Sequence, residues 1–313
     1  MSRADAPQAG SSEARHRTGE SRPGVAVIMA AFLSHRTLGR SLQALSAQTR
    51  PADEVVIVDS SPDERTAAVV EGFPEVRLIR SRDRLLPQVA RMRGVATTRC
   101  ELLLFADPDV YPEPDWLERL VSLWRERRPA MVAAALGCWD RDWLNRGIHV
   151  CKFARWLPGG SVRPVDNVPS ASLLIARALF DDLGGFQDPF FGDAQLSRQA
   201  ARRGELLLEP AAVAWHDHGT TLRAFVRERF TRGRGLPQLD AGAECSRGGD
   251  AMRLAMTALP VRFAHSLAKT FQDCRRGPGV AAWASALPIV ALGHAATMAG
   301  ESVGLARRLL GRR

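Results

Sequence analysis

The stretch Glu101-Leu102-Leu103-Leu104-Phe105-Ala106-Asp107-Pro108-Asp109 constrains the fold more than any other part of the chain. The apolar run from Leu102 to Phe105 is too short for a helix and suits a strand buried on both faces. It ends in two carboxylates separated by a proline. A sheet interior does not tolerate unpaired Asp107 and Asp109, so both belong at the strand's carboxyl end. In open α/β sheets that end is where ligands bind. Two carboxylates there offer hard oxygen ligands to Mg²⁺ or Mn²⁺, which can hold a diphosphate. Asp-Pro-Asp is also good turn chemistry, so this stretch alone does not choose between the two.

The flanking sequence repeats the pattern. Val25 to Met29 is a candidate first buried strand, followed by a loop over 30–36. From Thr37, taken as the N-cap, Leu38, Leu42 and Leu45 share a helical face, and Gln48-Thr49-Arg50-Pro51 stops the helix. Val55 to Val58 is a second buried strand that also ends in a carboxylate, Asp59. This is a β–α–β unit. No G-x-G-x-x-G follows the first strand and no P-loop occurs, which disfavours dinucleotide cofactors and excludes P-loop chemistry. A third strand is expected over Val76–Arg80, a helix over Gln88–Ala96 and another, capped by Asp115, carrying Leu117, Leu120, Val121 and Trp124 on one face. Met131–Leu136 is a strand, and residues 137–169 read as a long irregular loop of the kind that often carries function. A strand over Ser170–Ala176 and a short helix over Arg177–Leu183 come next. A further helix opens at Phe190-Phe191-Gly192-Asp193 and ends at Gly204. Short strands at Leu206–Leu208 and Val213–Trp215 lead to His216-Asp217-His218.

In this order the residues resemble a family 2 glycosyltransferase. The likeness rests on Val25–Met29, Ser41-Leu42 with Gln48-Thr49, Val55–Asp59 with Asp63, Ala90-Arg91-Met92-Arg93-Gly94, the Asp107-Pro108-Asp109 "DxD", Phe180 with Gly184-Gly185-Phe186, Phe191-Gly192-Asp193 with Leu196, and His216. It covers roughly residues 25–220. What it implies is an α/β, Rossmann-like GT-A fold for nucleotide-diphospho-sugar transfer with inversion. It also implies a role for each matching residue. Ala30, Asp59, Arg91 and Asp107 would bind the donor, with Asp59 at the nucleobase. Asp109 and His216 would hold Mn²⁺ or Mg²⁺, and Asp193 would be the catalytic base. On spacing alone Asp193 is a helix cap, where the dipole favours a negative charge. His216 and His218 alternate, so if the strand continues they point to opposite faces and at most one, taken as His216, reaches a metal. Three departures stand out: Ala30-Ala31 in place of Pro-Thr, Met92 in place of Asn, and Gly192 where an acidic residue usually precedes the base.

The charge distribution describes the remainder. Residues 1–219 carry 28 basic and 28 acidic side chains and residues 220–313 carry 15 and 6, so the whole excess of +9 lies in the C-terminal part. That fits an anionic surface as partner. The segment lacks the aromatic interleaving that stacks bases, which argues against nucleic acid. Gly279–Ala299 is nearly uncharged and approaches the ~20 residues of a spanning helix, but it is diluted by Ala, Gly and Ser. The alternatives are a membrane-associated helix and a pair of helices packed on the catalytic domain. The five cysteines are scattered with no metal spacing, and no apolar h-region opens the chain, so a reducing, cytoplasmic setting at the inner membrane face is expected. The expected organisation is a polar tail over 1–22, a catalytic domain over 23–235 and a basic helical C-terminal extension over 236–313. The expected activity is metal-dependent sugar transfer to a glycan or lipid-linked acceptor. The alternative is a non-catalytic nucleotide-sugar-binding partner of a glycan-assembly complex.

Overall fold

The computed structural model describes residues 22–139, 142–239, 260–277 and 279–310. The tail expected over 1–22 therefore lies, except for Arg22, outside the described residues, as does the part of the expected C-terminal extension over 240–259, with Cys245.

Strands β1 (Val25–Ala31), β2 (Glu54–Asp59), β3 (Val76–Arg80) and β4 (Leu102–Ala106) form a parallel block in the order β3-β2-β1-β4. β8 (Ser172–Ala176) joins β4 in the antiparallel sense, and β6 (Met131–Cys138), β9 (Leu206–His216) and β5 (Val110–Pro112) continue the path. β7 (Arg163–Pro164) pairs with β9 and completes nine strands. All of β4 is buried, with Leu102 and Leu104 facing one core and Leu103 and Phe105 the other. This is the two-sided burial expected from its unbroken apolar run. Helices α1 (Leu38–Ser46), α2 (Arg65–Val70) and α4 (Trp116–Arg127) cover the first face, and α3 (Pro87–Val95), α6 (Arg177–Asp182) and α7 (Gly192–Ala200) cover the second.

A third core, built on Ile148, Phe225, Ile289 and Val290, joins α5 (Trp143–Phe153), α8 (Leu222–Leu239), α9 (Pro260–Arg275) and α10 (Val280–Leu309). α5 overturns the irregular loop expected over 137–169. Asp142 caps it by accepting the Asn145 N–H at 2.7 Å. Gly147 in its middle, a weak helix former, hid it. A Cβ there would lie 2.5 Å from Ile289 Cβ of α10, so the glycine serves helix packing. The 30 residues of α10 are long and apolar enough to cross a membrane by length and composition, and 28% of its most apolar window is buried in the protein. That buried side faces α5 and α8.

Three local expectations differ. Thr37 makes no side-chain cap and instead donates to the Ser34 carbonyl at 3.4 Å. Asp115 pairs with Arg119 at 2.6 Å rather than capping α4. The two strands expected near 206–215 are one strand, β9, whose register against β6 jumps from Ala134↔Glu209 to Ala135↔Val213. Pro210, which has no N–H to donate, sits in that bulge.

The close approach of α3 to the sheet depends on Gly94, where a Cβ would stand 2.7 Å from Ile28 Cγ2 and 3.3 Å from Val58 Cγ2. Gly94→Val should lower unfolding free energy by about 1–3 kcal/mol in a urea titration. Gly39→Ala, whose Cβ would touch only Val69 at 3.5 Å, should be neutral or stabilising.

Candidate functional site

The site forms where β4 ends. Asp107 closes a turn by accepting the Val110 N–H at 3.1 Å, and β5 then pairs with the end of β9 so that Val110 lies opposite His216. The Asp217 N–H donates to the Asp109 carbonyl at 2.8 Å, and the Tyr111 hydroxyl donates to Asp217 at 3.0 Å. This pairing brings together Asp107 and Asp109 with His216, which lies more than one hundred positions later in the sequence. One ligand atom from each of the three falls within 4.8 Å of the others. His216 Nε2 stands 3.9 Å from Asp109 Oδ1, and its Nδ1 is buried without a hydrogen-bond partner.

The electrostatics of this cluster suit a cation. Burial, and after it the charge of the neighbouring Asp107, push the Asp109 carboxyl up to about 7, because both disfavour its ionised form. Burial, followed by the Lys152 charge, holds the His216 imidazole well below its usual range, which keeps it neutral as a metal ligand must be. Two carboxylates and a neutral imidazole form a donor set that fits Mn²⁺ or Mg²⁺.

Arg91 is buried and ion-paired to Asp107, so it orients that carboxylate. Its guanidinium also donates to Gln88 Oε1 at 3.1 Å, and the Gln88 amide donates to Ser170 Oγ at 3.3 Å. Ser170 in turn donates its backbone N–H to Asp193 Oδ2 at 3.2 Å. A continuous polar chain thus links Asp107 to Asp193 through Arg91, Gln88 and Ser170. Asp193 lies in the first turn of α7 and is not its N-cap, a position held by Phe191. Gln88 and Ser170 escaped sequence reasoning because their only signal is spatial.

Asp59 and Ala30 lie apart from this cluster, on the neighbouring strands. Asp59 is fully buried, accepts the Ser61 N–H at 2.9 Å and hydroxyl at 2.6 Å, and faces Arg80 Nε at 3.2 Å. Ala30 sits at the end of β1 opposite Val58. His218 does not point away from His216; the strand ends at His216 and the two rings stack with centroids 4.5 Å apart. The departures at Gly192 and Met92 have a packing basis. A Cβ at Gly192 would meet Phe186 at 3.1 Å and Gln88 at 3.2 Å, while Met92 Sδ accepts the Phe186 N–H at 3.4 Å.

Residues 26–167 match the model of glycosyl transferase family 2. Among characterised proteins, the chain is 29% identical over 164 residues to the pre-mycofactocin glycosyltransferase of Mycobacterium tuberculosis, covering 48% of this chain and 34% of that protein. It is 33% identical over 102 residues to the succinoglycan biosynthesis protein ExoO of Rhizobium meliloti, covering 32% and 29%. The chain therefore spans about a third of the length of these curated relatives. Among solved structures, it resembles the mannosyltransferase PcManGT from Pyrobaculum calidifontis, in complex with GDP-Man and Mn²⁺, with a TM-score of 0.55 and 23% identity over 72% of this chain and 65% of that one. It also resembles GalNAc-T7 with UDP, GalNAc and Mn²⁺, with a TM-score of 0.51 and 15% identity over 63% and 43%. Residues 26–167 thus carry the likeness to glycosyl transferase family 2, and the chain has a GT-A fold with a C-terminal helical extension.

Proposed function

We propose that this chain is an inverting, divalent-metal-dependent glycosyltransferase that moves a sugar from a nucleotide-diphosphate donor to a glycan or lipid-linked acceptor. The observation that carries this reading is the Asp107, Asp109 and His216 cluster at the strand ends, joined by hydrogen bonds to Asp193. Mn²⁺ in the two structural relatives supports a metal here. Asp109 and His216 would hold that ion, which supplies Lewis-acid stabilisation of the departing diphosphate. Asp107, held by Arg91, faces the donor. Asp193 takes the proton of the acceptor hydroxyl as its oxygen attacks the anomeric carbon opposite the leaving group. Inversion needs only this one base. Ser170 and Gln88 fix where its carboxylate points. Asp59 and Ala30, on β2 and β1, would border the nucleoside side.

Support for the acceptor comes from a cavity of about 1310 Å³ between the start of α7, α8 and α10. Phe190, Phe191, Arg223, Arg227, Arg232 and Arg307 line it, and Phe191 is two positions before Asp193. An arginine-rich wall beside exposed aromatic surface suits an acceptor with an anionic group and an apolar part. With the apolar length of α10, it supports work at the inner face of a membrane, in cell-envelope or polysaccharide assembly.

Calorimetry with a panel of nucleoside diphosphates should show Mn²⁺-dependent binding of one of them, weakened about 10–100-fold or more in Asp109→Ala. No nucleotide binding by folded protein would remove the transferase reading. Asp193→Asn should retain that binding while transfer falls by about 10²–10⁴-fold, followed as diphosphate release from donor sugar with a membrane extract as acceptor. Donor binding with no transfer by the unaltered protein would point instead to a non-catalytic subunit of a glycan-assembly complex. Ser170→Ala, which keeps the backbone N–H but removes the hydroxyl that donates to Asp193 Oδ2 at 3.5 Å and accepts from Gln88, should also bind nucleotide normally and slow transfer by about tenfold, through a less well oriented base.

A further inference from the structure

Behind the carboxylate cluster lies a second group of ligating side chains with different chemistry. Cys138 ends β6, His149 lies in the middle of α5, and His218 follows β9 by two residues. One ligand atom from each falls within 4.8 Å of the others. His149 Nδ1 and His218 Nε2 are 3.0 Å apart. His149 is buried, and its other ring nitrogen, Nε2, is 2.9 Å from the Leu136 carbonyl. A carbonyl accepts only, so Nε2 carries the proton and the Nδ1 lone pair points at His218 Nε2, with Cys138 beside them. A histidine held by its distal N–H on a backbone carbonyl is the arrangement usual for metal-binding imidazoles.

We propose that Cys138, His149 and His218 bind Zn²⁺, separately from the hard-oxygen site at Asp107 and Asp109. Around a tetrahedral zinc ion, with bonds of about 2.0–2.1 Å to nitrogen and about 2.3 Å to sulfur, ligand atoms stand about 3.3–3.6 Å apart. The three atoms need only small side-chain adjustments to reach that spacing. Binding displaces the thiol proton of Cys138, and the His218 proton moves to Nδ1 so that Nε2 can ligate. Cys138 and His218 are half-buried, so the fourth position opens to water. Thiolate and imidazole select zinc over the Mn²⁺ or Mg²⁺ that carboxylates prefer. The nearby cation, Lys152, is drawn aside by Glu228 at 3.3 Å.

Such an ion would tie together three elements that the sequence separates. It would clamp the ends of β6 and β9, and with them His216, to α5 and so to the helical layer containing α10. This inference is independent of the transfer reaction, and its failure leaves that reading untouched.

The test uses full-length Asp109→Ala protein, which removes the hard-oxygen site, stripped of metal and titrated with Co²⁺. A near-ultraviolet thiolate-to-cobalt charge-transfer band should appear, be bleached by Zn²⁺, and be lost when Cys138→Ser is added. Zinc analysis should give about one ion per chain before the serine substitution and a marked fall after it. His218→Gln should shift and weaken the band, and it serves as a second variant if the serine protein fails to fold. Absence of the band, or a band that survives Cys138→Ser, would overturn the proposal and leave His149 and His218 as a hydrogen-bonded pair only.

Discussion

The pairing of β5 with the end of β9 is the interaction on which the site depends. Only three residues long, β5 lies antiparallel to His216, Trp215 and Ala214. The Tyr111–Asp217 hydrogen bond and the Asp217 amide on the Asp109 carbonyl lock this corner. Without it, the two aspartates would hang from a strand end with no imidazole beside them. The backbone ladder thus performs electrostatic work. It crowds two carboxylates and a neutral histidine into a space where a divalent cation resolves the conflict.

The second dependence is the buried chain from Asp107 through Arg91, Gln88 and Ser170 to Asp193. Arg91 does not float in a solvated pocket; its side chain is 4% exposed and paired with a carboxylate. A buried ion pair is costly unless its remaining donors are satisfied, and Gln88 takes one of them. The same network spans the two halves of the site, so the positions of the Asp107 and Asp193 carboxylates are set by common partners. Gly192 belongs to this economy of space, because Phe186 and Gln88 occupy the room that a longer side chain would need.

The helical layer is a separate physical problem. Its core is small, and it rests on the sheet through α5, whose Phe153 lies beside the rings of His216 and His218 with centroids 5.0 Å and 5.9 Å away. The layer that carries the apolar helix α10 and the arginine-lined cavity is therefore packed against the back of the aspartate–histidine cluster.

Much of this was legible in the amino-acid order. The apolar runs ending in Asp59 and Asp107 announce strands buried on both faces with carboxylates at their tips, because a sheet interior cannot hold an unpaired charge. Burial of β4 on two cores follows directly from Leu102 to Phe105. The helix α5 did not announce itself, since Gly147, His149 and Lys152 break its apolar period and its packing partner lies some 140 residues away. The single strand β9 was concealed by Pro210. That His218 turns back beside His216, and that Cys138, His149 and His218 converge, were decided by tertiary structure alone. Strand register and helix docking bring distant residues within ångströms, and no local pattern encodes that distance.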